Sequence, residues 1–170
     1  AMKWLSTHPE PDRYDFSAGD TLVAYAQAHD MAVYGHSLVW DYQLPEWVNE
    51  GYYTRSEWIN ILCKHVKTVV NHYRGQVYAW VVVNEALGNN GSLRNTIVLR
   101  SIGPDYIAMA FHWAHEADPQ ALLTYNETSA EGMNRKSQGV YALAQGLFQQ
   151  GAPIHAVGLQ MHVGLESAPN

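Results

Sequence analysis

The sequence is almost without cysteine. Cys63 is the only thiol in 170 residues, so no internal disulfide can staple the chain. Basic residues are also sparse: ten Lys and Arg stand against sixteen Asp and Glu. The resulting formal charge of −6 argues against nucleic acid as a partner. No apolar run approaches a membrane span, and no charged-then-apolar signal peptide stands at the start. No linker, low-complexity tract or repeat divides the chain, whose length is that of one ordinary domain. No Gly-rich phosphate loop follows a strand, and Gly88-Asn89-Asn90-Gly91 fits neither nucleotide fingerprint. The sequence does have a 47% hydrophobic content, enough for a sizeable core. Its six Trp and eleven Tyr can pack inside or stack on flat ligands.

The run from Val77 through Trp80-Val81-Val82-Val83 is β-branched and aromatic without polar alternation. It predicts a strand buried on both faces, as in a parallel sheet. It stops at Asn84-Glu85, ahead of a turn-rich stretch, where a barrel enzyme keeps catalytic groups. The alternative is a carboxylate that only caps a loop or pairs with a base. Similar strands are predicted over 32–40, 121–126 and 154–162. Residues 1–19 read as irregular because of Pro9 and Pro11. Helices are predicted over 20–30 with Asp20 as N-cap, and from a Thr54/Glu57 capping box to Gly75. Two more run from Gly103-Pro104 to Asp118-Pro119 and over 134–150.

Four strands alternating with four helices make a βα series and a parallel sheet. The spare length lies in the loops 41–53, 86–103 and 127–133, on the strand C-terminal side, where a (β/α)8 barrel builds its site. The strand ends there carry His36, Trp40, Asn84, Glu85, Tyr125, Asn126, Glu127, Gln160 and His162, with Gln43 just beyond Trp40. Amides, imidazoles and indole with little cationic charge suit a neutral, hydroxyl-rich substrate. Glycoside hydrolysis needs two carboxylates, and spacing alone pairs Glu85 with Glu127. Metal binding is the weaker reading: His65, His72, His112 and His115 read as helix-surface histidines, and Cys63 as a small core hydrophobe. On their own, His36 and His162 would be satisfied core histidines.

Taken together, these residues resemble the family-ten glycoside hydrolases, the endo-β-1,4-xylanase family. The resemblance is carried by Met2-Lys3-Trp4, by Gly35-His36-Ser37-Leu38-Val39-Trp40 with Gln43-Leu44-Pro45, and by Trp80-Val81-Val82-Val83-Asn84-Glu85. Tyr125-Asn126 after Ala117-Asp118-Pro119, and Gly158-Leu159-Gln160-Met161-His162, complete it in order across the chain. It implies a partial (β/α)8 TIM barrel, strands three to six of eight, with residues 1–170 the central part of one catalytic domain truncated at both ends. It also implies retaining hydrolysis of internal β-1,4-xylosidic bonds with no cofactor and no metal. Xylan and xylo-oligosaccharides would be the partners of a monomeric, secreted protein without nucleic-acid or membrane binding.

The resemblance makes Glu85 the general acid/base and Asn84 a partner of the 2-hydroxyl at the cleavage point. Lys3, His36 and Gln43 would line the glycone side, Trp40 would form part of the sugar floor, and Gln160 and His162 would stand near the nucleophile. The family's nucleophile comes from a Thr-Glu on the seventh strand, which overrules Glu127 and lies outside this segment; Glu166 falls too early. The chain departs from the family at Val81, at Asp41-Tyr42 and at Glu127, where Asp, His-Ser and Asp are usual. A non-catalytic xylan-binding half-barrel and a related β-glycosidase or cellulase-like barrel are the alternatives.

Overall fold

The computed structural model describes residues 1–162 and 164; Glu166 lies outside the described residues. At its centre is one sheet of four parallel strands in chain order: β1 (Tyr34–Val39), β2 (Ala79–Asn84), β3 (Leu122–Glu127) and β4 (Ala156–Leu159). Helices α1 (Trp4–Thr7) and α2 (Ser17–Ala28) precede β1. Between β1 and β2 lie α3 (Glu46–Glu50) and α4 (Arg55–His72); α5 (Ile97–Ile102) and α6 (Tyr106–Ala117) join β2 to β3, and α7 (Arg135–Gln149) joins β3 to β4. Because every pairing is parallel, all strand C-termini emerge on one side, with Asn84 beside Asn126 and Glu127 beside Leu159.

β2 is buried at all six positions, which is why its sequence carries no polar alternation. It is flanked on both sides by strands, and α6 packs against it. α4 begins with the predicted capping box: Thr54 Oγ1 accepts from the Glu57 N–H, and a Glu57 carboxyl oxygen accepts from the Thr54 N–H at 2.7 Å. Its apolar stripe buries Trp58, Leu62, Val66, Val69 and Val70, and it packs on α6 and α5. The turn after α4 passes through Gly75 at φ +73°, a conformation that suits glycine, and the Gly75 N–H donates to Asp118 Oδ2 at 2.9 Å.

The structure corrects several expectations. Residues 1–19 are not all irregular: α1 forms there, and α2 begins at Ser17, whose N–H and hydroxyl both donate to Asp15 Oδ1. Asp20 is therefore inside the helix, not its cap, and pairs with His72 at 2.7 Å. The expected loop 41–53 contains a 3₁₀ turn (Asp41–Gln43) and α3. The expected loop 86–103 contains α5, capped by Thr96 Oγ1 accepting from the Leu99 N–H. Pro104 stands before the cap of α6 rather than in its first turn. Phe148, expected inside, is exposed on α7, and Cys63 is half-buried.

His65, read from sequence as a surface histidine, is fully buried on the stripe of α4. Its ring stacks on Trp4 at 4.0 Å and Nε2 meets the Leu38 carbonyl at 3.1 Å. Burial, followed by the charge of neighbouring His8, holds its pKa well below the ordinary imidazole value. No helix among the described residues is long and apolar enough to cross a membrane.

Candidate active site

The end of β2 is where the backbone turns out of the sheet. Glu85 takes a left-handed φ of +55° immediately after the strand. Two bonds hold that turn: the Glu85 N–H donates to the Asn126 carbonyl at 2.9 Å, and Arg94 Nη1 donates to the Glu85 carbonyl at 3.1 Å. The carboxyl group receives two neutral donors from other strand ends. Gln160 Nε2 donates to Oε1 at 2.7 Å, and Trp40 Nε1 donates to Oε2 at 3.3 Å. Beyond Gln160, His162 Nε2 lies 2.9 Å from Gln160 Oε1, so that nitrogen is the donor.

Around Trp40 the N-terminal residues return to the site. Lys3 Nζ lies 5.3 Å from the Trp40 ring centroid, and the His36 ring meets Trp40 edge-on at 5.7 Å. Burial, then the charge of Lys3, pushes the His36 pKa below its usual value, while Glu85 opposes the shift. Trp40 is half-buried rather than enclosed, so one part of its ring remains available to a ligand.

The eight residues singled out from the sequence thus fall at one end of the sheet, but not in one contact set. Glu85, Trp40, Gln160, His162, Lys3 and His36 form a connected group. Asn84 is buried and turns to Asn126, whose Nδ2 donates to Asn84 Oδ1 at 2.7 Å; among the described residues Asn84 Nδ2 has no hydrogen-bond partner. Gln43 closes the 3₁₀ turn, its N–H donating to the Trp40 carbonyl at 2.9 Å.

Glu127 does not serve as the second carboxylate suggested by spacing. It is 0% exposed and faces Lys136 Nζ at 3.0 Å. The Leu87 N–H donates to Oε2 at 3.1 Å and the Thr128 N–H to Oε1 at 3.0 Å, and the Tyr125 hydroxyl donates to Oε2 in a short bond. The same hydroxyl accepts from the Ala86 N–H at 3.1 Å. Burial and then the Glu127 charge push the Tyr125 pKa far up. Glu127 therefore supports the backbone just after Glu85 from below and is closed to a substrate.

Sequence reasoning missed Lys136, Arg94 and Tyr42. Lys136 looks like any exposed residue in the first turn of a helix, and only tertiary structure puts it under the loop. The Asp41-Tyr42 departure was the signal for Arg94: Asp41 Oδ2 stands 3.9 Å from Arg94 Nη2, and Asp41 Oδ1 accepts from the Ile97 N–H at 3.3 Å. Among the described residues, no group of three or more His, Cys, Asp or Glu is arranged to hold a metal ion.

Comparisons with known proteins agree with this geometry. Glycosyl hydrolase family 10 matches the chain over residues 1–170. Endo-1,4-beta-xylanase B of Thermotoga neapolitana is 48% identical over 162 residues, covering 95% of this chain and 47% of that protein. The crystal structure of xylanase 10B from Thermotoga petrophila in complex with xylobiose superposes with a TM-score of 0.93 at 45% identity, covering 95% of this chain and 49% of that one. An intracellular xylanase from Thermoanaerobacterium saccharolyticum gives 0.94 at 39% identity, covering 99% and 56%. The chain spans about half the length of these relatives.

Proposed function

This chain belongs to glycosyl hydrolase family 10 and folds as part of its (β/α)8 barrel, and from that premise we propose that the intact protein is a retaining endo-β-1,4-xylanase whose general acid/base is Glu85. Residues 1–170 are then the central part of a single catalytic domain, and the nucleophilic carboxylate is supplied from outside them. The observation that carries the reading is the setting of Glu85: a carboxyl at the C-terminal end of a fully buried parallel strand, held among the described residues by the neutral donors Trp40 and Gln160. An acid/base must be protonated when the glycosidic oxygen leaves and ionised when water attacks the glycosyl-enzyme. Neutral N–H donors accommodate that cycle, whereas a fixed buried cation would be left unpaired at each protonation.

The other roles follow from position. Trp40 offers a partly open indole face to a sugar ring, with Lys3 and His36 beside it. Asn84 Nδ2, without a partner among the described residues, is the donor we assign to a substrate hydroxyl, which would reach it as the site takes up its sugar. Gln43 lies on the rim beyond Trp40. Gln160, itself bonded to His162, fixes the Glu85 carboxyl, and we assign both residues to the nucleophile's surroundings. The T. petrophila relative's complex with xylobiose supports xylo-oligosaccharides as ligands. A monomer acting outside the cell suits a polymeric substrate, although the T. saccharolyticum relative is described as intracellular.

The test is hydrolysis of xylan and xylotetraose by the intact protein, with the first-formed anomer followed by proton NMR. Release of β-configured product, relaxing later to the α/β mixture, is expected. Failure to release sugar, or α-configured product first, would reject the assignment.

A further inference from the structure

The Asp41-Tyr42 step places an unexplained aromatic ring beside Glu85. Tyr42 is 63% exposed, yet its ring meets two neighbouring side chains. The Arg94 guanidinium lies 4.3 Å from the ring centroid, and Trp40 meets the ring at 89° with centroids 6.2 Å apart. Arg94 is itself tied to the Glu85 carbonyl and faces Asp41, which caps the first N–H of α5. The ring is therefore propped by a scaffold that shares its anchor with the acid/base. Against it opens a cleft of about 300 Å³, lined by Tyr42, Glu85, Leu87, Asn89 and Thr128 among others. Lys3, His36 and Trp40 line none of it, so it is a second approach to Glu85, distinct from the Trp40 group.

A polymer cut internally must extend in both directions from the scissile bond. We infer that Tyr42 is a stacking platform for the sugar on the leaving-group side, with Asn89 and Thr128 offering hydrogen bonds to its hydroxyls. This rests on the xylanase reading above and assigns a specificity-determining residue to it. A pre-held aromatic ring binds the apolar face of a pyranose at little entropic cost. Arg94 covers part of the ring and leaves the rest to the ligand. Binding energy collected there is remote from the reacting bond but can be used at the transition state, so its loss should appear in kcat/KM.

The experiment compares two substrates in the intact protein. Xylotetraose places sugar on both sides of the cut; β-xylobiosyl fluoride is cleaved with nothing larger than fluoride on the leaving side. Tyr42→Ala should lower kcat/KM on xylotetraose by about tenfold and leave the fluoride within about twofold of wild type. Tyr42→Phe, which keeps the ring, should match wild type on both. An equal fall on both substrates, or no fall on xylotetraose, would overturn the platform. Wild-type protein that cleaves neither substrate would overturn the xylanase reading itself.

Discussion

Glu85 and Glu127 end neighbouring strands, are both glutamates, and differ in almost everything else. Glu85 stands in a backbone turn at the mouth of a cleft and meets two neutral side-chain donors from strand ends. Glu127 is sealed beneath the same turn, bonded to a lysine, a phenol and two backbone amides. The first meets only neutral side-chain donors among the described residues and opens on a cleft; the second is ion-paired to Lys136 and sealed from solvent. Place in the barrel nominates both carboxylates, and under the proposed function the charge of their partners separates the acid/base from the support.

The most direct way to break this contrast is Glu85→Gln in the intact enzyme. Loss of the acid should cost about 10²–10⁴-fold on xylan, whose leaving group needs protonation. Aryl xylobiosides with good leaving groups should lose far less in the glycosylation step. Equal loss on both would remove Glu85 from its role. The mirror experiment is on the support side. Glu127→Ala or Lys136→Ala strands one buried charge and should cost about 3–5 kcal/mol of stability, read as the shift in a urea melt. The double change Glu127→Leu with Lys136→Met should recover much of that loss, since it leaves no buried charge unpaired. Undiminished stability in either single variant would show that the pair is solvated and the contrast false.

Trp40→Ala tests the boundary between the two regions. As a half-open platform it should lose about 1–3 kcal/mol of xylo-oligosaccharide affinity by calorimetric titration while the fold survives, by analogy with other aromatic contacts. A fall of about 3–5 kcal/mol in stability would instead mark a core residue. The smallest effect per step concerns His65, an imidazole as enclosed as Glu127. Its folded pKa is depressed, so the unfolded chain binds the proton first as pH falls below about 6.5. Its contribution is therefore complete above that pH and is lost on acidification, at up to about 1.4 kcal/mol per pH unit. His65→Phe should flatten the stability-pH curve between about pH 6.5 and 5 relative to wild type. An unchanged slope would mean that His65 opens to water without cost.

Much of the architecture was legible because its signals are local. The β-branched run into Glu85 and the Thr54/Glu57 box act within a few residues, and both formed as read. The short helices α1 and α5 escaped because one or two turns carry too little periodicity to stand out. His65 is instructive: it lies seven residues after Trp58 and three after Leu62, so spacing already put it on the buried stripe. Residue type outweighed position in the reading, and the stack on Trp4 with the Leu38 carbonyl reversed that weight. The site residues converged because parallel strands deliver their ends to one side. The Glu127–Lys136 pair could not be foreseen, since nothing in either local sequence names the other.

The left-handed backbone at Glu85 has a consequence for selection. Such a φ costs an ordinary L-residue about 1 kcal/mol, and glycine or asparagine bears it more easily. If Glu85 is the acid/base proposed above, conformation and chemistry make opposite demands here: small or amide residues suit the turn, and only a carboxylic acid can shuttle the proton. Heat-tolerance screens run without a turnover check should therefore drift towards glycine or asparagine at residue 85, and rank inert proteins among their best survivors.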